Sequence, residues 1–138
     1  MMKGEEIKQL IPQRNPMIMV DEFERRDDNT AHTTLTIRSD NFFLYDNGEL
    51  SETGLIEHIA QSASALAGYQ AKMSGATTPP VGIIGAVKCF ECLRRPVNGE
   101  KLDTAVFFGF SFCAATLVHG ISCIENVVVA EAQMKIFL

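Results

Sequence analysis

The chain has 138 residues, of which 46% are hydrophobic, and a formal net charge of -5. This length and composition are typical of one globular domain with a buried core, and we predict a single domain over residues 1–138. Lysine and arginine are scattered apart from two short pairs, so the sequence offers no basic stripe for a nucleic-acid partner.

The amino-terminal segment MMKGEEIKQL carries glutamates where a signal peptide has an apolar run. Nowhere does the chain reach the roughly 18 consecutive apolar residues of a membrane-spanning helix. We therefore expect a cytoplasmic protein with no membrane partner.

The first half of the chain contains short elements followed by one long helix. We predict a helix over Lys3–Leu10 and strands over Met17–Glu24 and Thr30–Arg38, the second strand from its alternating pattern. The long helix should start near Ser51–Thr53, where hydroxyls and an acidic residue suit a helix amino terminus. It should end near Ser74-Gly75, because the following ATTPP segment cannot continue a helix.

The last third of the chain is a series of strands. They are predicted over Val81–Leu93, Lys101–Phe112, Cys113–Cys123 and Asn126–Leu138. Asn98-Gly99 is a strong hairpin signal between the first two of these strands, and Glu125-Asn126 marks the turn between the last two.

Alternation within these strands predicts which side chains face the core. In the last strand the inward residues should be Val128, Ala130, Ala132, Met134, Ile136 and Leu138. We also expect His119 and the four cysteines to be core residues: Cys89, Cys92, Cys113 and Cys123. An odd spacing on a strand sends Cys89 and Cys92 to opposite faces, so we predict no metal, disulfide or cofactor there.

One long helix among early strands and several late antiparallel strands is an α+β plan, in which a sheet wraps around the helix. Such a sheet leaves one edge uncovered, so we expect the protein to dimerise.

The helical run GLIEHIAQSASALAGYQA has a single formally charged residue, Glu57. A nearly uncharged helix is normally enclosed by its domain. The carboxylate therefore either interacts favourably with the helix dipole or takes part in a chemical reaction. Gln61 lies one turn later on the same face and could hold the carboxylate by a hydrogen bond.

Four segments resemble one protein family. Ile11–Asp21 (IPQRNPMIMVD) is similar to the P-H-R-x-P entry of hotdog-fold 3-hydroxyacyl-acyl-carrier-protein dehydratases, and Asn41–Phe43 to their N-x-x-F-F. Glu57–Gln61 resembles their E-A-M-A-Q, and Arg95–Glu100 their R-P-V-x-P-G-D. The closer likeness is to the dehydratase-like proteins of aryl-polyene and flexirubin-type pigment pathways. The resemblance implies a hotdog fold and a place in fatty-acid or polyene-type biosynthesis.

The family histidine that acts as the catalytic base is missing from this sequence. Leu44-Tyr45-Asp46 stands where the family has x-Gly-His, and the P-H-R position carries Gln13. The candidates for a substitute are Asp46, Tyr45 and His58, although His58 is turned about 100° from Glu57 on the helix.

Dehydration of a 3-hydroxyacyl thioester needs a base at C2, an acid for the departing hydroxyl and donors for the thioester oxygen. The resemblance implies that Glu57 positions or protonates the hydroxyl, and it makes the backbone N–H groups of Gly54 and Leu55 the candidate donors. We expect Phe42, Phe43 and either Phe107 or Phe108 to line an acyl tunnel. Arg94 and Arg95 would bind the carrier.

Three functions remain open from the sequence. The first is a dehydratase acting on acyl-carrier-protein or coenzyme A thioesters, as a homodimer or paired with a second hotdog dehydratase. The second is a hotdog thioesterase in which Glu57 activates water or attacks the thioester. The third is a non-catalytic subunit that stabilises a partner.

Overall fold

The computed structural model describes residues 1–138. Its elements are, in chain order, β1 (Met2–Lys3), a 3-10 helix (Gly4–Gln9), β2 (Glu22–Asp27), β3 (Thr30–Thr36), α1 (Glu52–Met73), β4 (Ile83–Cys92), β5 (Lys101–Phe112), β6 (Ala115–Ile124) and β7 (Val127–Phe137). The seven strands form one antiparallel sheet in the order β1-β2-β3-β5-β6-β7-β4, and α1 packs against its central strands. This is the predicted hotdog arrangement of one sheet around one helix.

The predicted bounds of α1 are confirmed. The Ser51 hydroxyl accepts a hydrogen bond from the Gly54 N–H at 3.1 Å, and Ser74 is the carboxy-terminal cap. Most side chains between Gly54 and Gly68 are buried. Small residues dominate this stretch because neighbouring backbone lies very close: a Cβ added at Gly68 would stand 1.9 Å from the Leu10 carbonyl oxygen.

The core forms two clusters along α1. The larger one surrounds Ile59 and Leu66 and includes Phe23, Val106 and Met134, while the smaller one surrounds Leu55 at the start of the helix. The apolar faces of the strands therefore close around the nearly uncharged helix, as the sequence predicts.

The strand predicted over Met17–Glu24 is wrong in its first half, since β2 begins only at Glu22. Side chains of α1 make hydrogen bonds to the backbone N–H and carbonyl groups that would otherwise pair with a neighbouring strand. The Gln61 amide binds the Met17 carbonyl and the Met19 N–H, and His58 binds the Met19 carbonyl. The amino-terminal helix is shorter than predicted and is a 3-10 helix.

The predicted hairpin between β4 and β5 is also wrong. The turn exists, with Gly99 at φ 95 and a hydrogen bond from Glu100 N–H to the Val97 carbonyl. However, β4 pairs with β7 and β5 pairs with β3 and β6. The loop instead crosses the end of the sheet and is held by the Gly48 and Ile37 carbonyls, which accept from Asn98 and Gly99.

Side-chain facing in β7 follows the prediction only in the middle of the strand. Ala130, Ala132, Met134 and Ile136 are buried, but Val128 is 38% exposed and Leu138 37% exposed. The register slips by one residue between Ser122 and Cys123 of β6, so that Val129 is inserted opposite them and takes the buried position. The turn at Glu125-Asn126 is confirmed, with both residues at positive φ.

The cysteines and His119 are not core residues, contrary to prediction. Cys89 and Cys113 are exposed, and Cys92 and Cys123 are partly exposed. His119 lies on the outer face of the sheet, where its Nε2 is 2.6 Å from Glu131 Oε1. Alternation gives the two faces of a strand but does not say which face meets the helix.

β4 is an open edge of the sheet. One side of this strand pairs with β7, and the other side has no neighbour. Ile83 is 61% exposed and Val87 40% exposed along it. A long apolar edge of this kind can be covered by pairing with another chain.

Candidate active site

Glu57 lies one turn inside α1 and is partly exposed. One carboxylate oxygen, Oε1, accepts a hydrogen bond from Gln61 Nε2 at 2.9 Å. The carboxylate lines a cavity of about 30 Å³ whose other polar side chains are Gln13, Gln61 and Ser64. Ile84 of the open edge strand β4 lines the same cavity, so Glu57 stands next to that edge.

Gln61 holds Glu57 as the sequence predicts, and it is itself rigidly held. Its amide oxygen accepts from the Met19 N–H at 2.6 Å, and its amide nitrogen donates to the Met17 carbonyl at 2.7 Å as well as to Glu57. With both amide hydrogens in use, Gln61 orients the carboxylate and has no hydrogen left for a substrate.

His58 points away from Glu57 into the core. Its side chain is fully buried, and its Nδ1 lies 2.6 Å from the Met19 carbonyl oxygen, which can only accept. Nδ1 therefore carries the proton, and Nε2 accepts from the Thr104 hydroxyl at 2.7 Å. Burial lowers the pKa of His58 to about 4, partly opposed by the bond to Met19. This geometry corrects the expectation that His58 supplies the base, because neither nitrogen can reach a substrate.

Asp46 and Tyr45 also lie away from the cavity. Asp46 is exposed at the tip of a tight turn in which Gly48 N–H donates to the Tyr45 carbonyl at 3.0 Å. The Tyr45 hydroxyl donates to Glu52, and its ring lies under the Arg95 guanidinium. Neither residue lines the cavity beside Glu57, so this chain alone does not bring a second acid or base to the carboxylate.

The N–H groups of Gly54 and Leu55 are not free, which corrects the prediction that they polarise the thioester carbonyl. Gly54 N–H donates to the Ser51 hydroxyl, and Leu55 N–H donates to the Ser51 carbonyl at 3.1 Å. Both residues are buried. Ser51, which caps the helix, therefore accepts hydrogen bonds from both of the N–H groups that the family resemblance names as donors.

The aromatic side chains do not form a tunnel within one chain. Phe42 is 60% exposed and makes an edge contact with Phe43, which packs over Gly54. Phe108 packs against the core, while Phe107 lies on the outer face next to His119, so the tunnel role is wrong for Phe107. The cavity at Glu57 is far below the several hundred Å³ of a typical ligand site. A ligand as large as an acyl chain therefore does not fit into the cavity of the single chain.

Arg94 and Arg95 are both paired with carboxylates. Arg94 holds Glu100 through two bonds of 2.8 and 3.0 Å, and Arg95 holds Glu52 and Glu49. These guanidinium groups keep the pKa values of Glu100 and Glu52 below their ordinary range. The pair is therefore locally neutralised rather than free for an acidic carrier.

Sequence reasoning did not predict two polar residues of the cavity, Gln13 and Ser64. Ser64 is seven positions after Glu57, which is about two helical turns and thus the same face. Gln13 stands at the histidine position of the P-H-R motif. This departure from the motif is the feature of the sequence that could have identified Gln13 as a site residue. The chain has no group of three His, Cys, Asp or Glu side chains positioned to hold a metal ion.

A family model described as ApeP-like, ApeP dehydratase, matches residues 5–137. The chain belongs to the ApeP-like family. Membership places it among the dehydratase-like hotdog proteins. No curated protein matches the chain, and neither α1 nor the 3-10 helix combines the length and hydropathy of a membrane crossing.

Three solved structures that share this fold are similar over most of the chain. The dehydratase heterocomplex ApeI:P from Xenorhabdus doucetiae matches with TM-score 0.87 and 18% identity over 95% of this chain and 89% of that chain. The PaaI protein of the E. coli phenylacetic acid degradation operon gives TM-score 0.67 and 13% identity, with coverage of 85% and 82%. A hypothetical thioesterase with coenzyme A from Streptococcus pneumoniae gives 0.66 and 13%, with coverage of 84% and 83%. At these identities the likeness establishes the fold.

Proposed function

We propose that this chain is the acid-bearing subunit of a two-chain dehydratase for 3-hydroxyacyl thioesters. A second hotdog protein, which supplies the histidine base, pairs with it along β4. The observation that carries the proposal is the position of Glu57, which Gln61 holds in a cavity next to the open edge strand.

The histidines of this chain support a base from another subunit. His58 is buried with both nitrogens in use, while His32 and His119 lie on the outer face of the sheet next to Asp103 and Glu131. None of them lines the cavity at Glu57. A base that meets the substrate next to Glu57 must come from a chain placed across the β4 edge.

A partner at this edge would also supply the missing binding surface. The single chain encloses about 30 Å³ at Glu57, too little for an acyl chain. Pairing along β4 would cover the exposed Ile83 and Val87 and form a groove above the cavity. The dehydratase heterocomplex of the similar structure supports a hetero-oligomer, and the thioester is carried by an acyl carrier protein or coenzyme A.

The test is reconstitution of the activity from purified chains. The protein is incubated with 3-hydroxyacyl carrier thioester, alone and with a histidine-bearing hotdog partner, and the acyl mass is followed by mass spectrometry. We expect loss of water only in the mixture. Glu57→Gln should lower kcat by about 10²–10⁴-fold, the usual loss for a general acid, while the exposed control Glu125→Gln should not change it.

The other outcomes select other functions. Release of the free thiol instead of water would identify a thioesterase. Turnover in the mixture that is unchanged by Glu57→Gln would make this chain a non-catalytic subunit, and either result refutes the proposal.

A further inference from the structure

Three cations line a groove beside the carboxy-terminal half of α1. The groove has a volume of about 410 Å³, and its charged side chains are Lys8, Arg14 and Lys72, with no carboxylate among the lining residues. Thr77 and Thr78 add hydroxyl groups to the same groove. The chain as a whole has a net charge of -5, so this groove is a local excess of positive charge that attracts an anionic ligand.

Arg14 has no acidic partner. Its guanidinium donates to the carbonyl oxygens of Ile11, Gln13 and Lys8 at 2.9, 2.7 and 3.3 Å. Carbonyl oxygens carry no formal charge, so the positive charge of the guanidinium is not neutralised. A guanidinium has more N–H groups than these bonds use. The loop therefore holds Arg14 in place and leaves it able to bind an anion.

The two lysines are also available to an anion. The Lys72 ammonium donates to the amide oxygen of Gln9, which is neutral. Lys8 Nζ lies 2.8 Å from Glu5 Oε2, but the Glu5 side chain is 85% exposed. An ion pair in this much solvent contributes little stability. An incoming anion can therefore displace Glu5 from Lys8 at small cost.

The helix dipole does not cancel this positive charge. The carboxy terminus of α1 is its negative end, but the dipole is equivalent to only about half an elementary charge. The three side chains of the groove carry one full charge each. In addition, the last carbonyls, those of Gln70, Ala71 and Lys72, already accept hydrogen bonds from the backbone N–H groups of residues 74–76.

The groove lies in line with the cavity at Glu57. The same three segments line both of them: α1, the loop before β2 and the segment before β4. Along these segments the lining passes from the cavity to the groove between Ser64 and Gly68, between Gln13 and Arg14, and between Gly82 and Pro79.

The separation of the two sites matches the arm of a thioester carrier. Glu57 and Lys72 are both on α1, and the helix rises by about 22 Å from position 57 to position 72. In a phosphopantetheine thioester about 17 bonds join the phosphorus atom to the 3-hydroxyl oxygen, which is about 20 Å when the arm is extended. A phosphate bound beside Lys72 would thus allow the 3-hydroxyl to reach Glu57.

We propose that the cation groove, formed by Lys8, Arg14 and Lys72, binds the phosphate group of the carrier arm of the substrate. This phosphate is a phosphodiester on an acyl carrier protein and part of a pyrophosphate in coenzyme A. The inference rests on the proposed function and goes beyond it by assigning the place at which the carrier is recognised. Arg94 and Arg95, which the sequence predicts for this role, are held by carboxylates instead.

The experiment compares substrates that differ in the phosphate. The reconstituted two-chain complex is given 3-hydroxyacyl thioesters of acyl carrier protein, of coenzyme A and of pantetheine, which lacks the phosphate. Lys72→Gln and Lys8→Gln each remove one charge from the groove. Lys135→Gln on β7, which does not line the groove, is the matched control.

We expect Lys72→Gln and Lys8→Gln each to raise KM for a phosphate-bearing substrate by about 10-fold, as for the loss of one hydrogen bond between charged groups. The effect should appear in KM rather than in kcat, and KM for the pantetheine thioester should stay the same. Lys135→Gln should behave as the unmodified complex with all three substrates.

The pattern of KM also identifies the source of the phosphate. A rise with the carrier-protein substrate alone assigns the groove to the phosphodiester of the carrier, and a rise with the coenzyme A substrate alone assigns it to the nucleotide phosphates. An unchanged KM with both phosphate-bearing substrates would overturn the inference. An equal rise with the pantetheine thioester would overturn it too, because the lost contact would then not involve the phosphate.

The two proposals fail separately. If Glu57→Gln abolishes dehydration while KM is unchanged in both lysine variants, only the cation groove is wrong. If the complex does not dehydrate the substrates, the proposed function is wrong, and calorimetric titration with free phosphopantetheine tests the groove without turnover. Phosphopantetheine should then bind about 10-fold more weakly to Lys72→Gln than to the wild type, and equal binding would overturn the inference.

Discussion

The buried histidine makes the stability of this protein depend on pH. His58 is fully buried, and both of its ring nitrogens are hydrogen-bonded in the neutral form. Its pKa in the folded protein is about 4, against an ordinary value of 6.5. The unfolded chain therefore binds a proton at this residue before the folded protein does, and acid favours unfolding.

The size of the effect follows from the two pKa values. The part of the unfolding free energy that depends on neutral His58 is fully present above pH 6.5, and it is lost progressively as the pH falls towards about 4. A difference of about 2.5 units, at 1.36 kcal/mol per unit, corresponds to about 3 kcal/mol of unfolding free energy. Within this range the slope should approach about 1.4 kcal/mol per pH unit.

The assay is urea unfolding at a series of pH values from about 7 to about 4. His58→Gln removes the titrating group, so this variant should be less stable near neutrality but should lose less stability on acidification. Gln133→Asn, an uncharged change on the exposed outer face, is the control and should keep the wild-type slope. If His58→Gln and the wild type show the same slope between these limits, the reasoning about the buried imidazole is refuted.

Two further substitutions test the packing of α1. Gly68→Ala should destabilise the protein by about 2 kcal/mol or more in thermal unfolding, because the new Cβ would overlap the Leu10 carbonyl; an unchanged Tm would contradict this close approach. Gln61→Met should cost about 1–3 kcal/mol because it leaves the buried Met19 N–H without a partner, and it should also lower the activity by releasing Glu57. Full activity in a folded Gln61→Met complex would show that the hydrogen bond from Gln61 to Glu57 is not needed for activity.

The sequence alone determined the elements whose signals are local. The bounds of α1 were predictable because Ser51 caps the helix through its own hydroxyl and the ATTPP segment cannot continue it. β5 begins and ends at the predicted residues, and the turn at Glu125-Asn126 occurs where predicted. The motif around Glu57 and the contact with Gln61 also lie within one helical turn, so spacing was sufficient to find them.

Only the tertiary structure decided the contacts between distant segments. Asn98-Gly99 forms a turn, but whether a turn joins neighbouring strands depends on which edge is open, and β4 pairs with β7 instead. Met17–Val20 resembles a strand in sequence, yet Gln61 and His58 take its backbone groups. The exposure of the cysteines likewise depends on which strand face meets α1.

In the candidate site, too, local sequence predicted some features and tertiary packing decided the others. Glu57 was found because it is the single formally charged residue of the run GLIEHIAQSASALAGYQA, whereas the loss of the Gly54 and Leu55 donors follows from the orientation of the Ser51 cap. The approach of Gln13 to Glu57 joins residues 44 positions apart, because the buried loop before β2 folds against α1. Spacing predicts which residues share a helix face, but a cavity is formed by segments that only the packed core brings together.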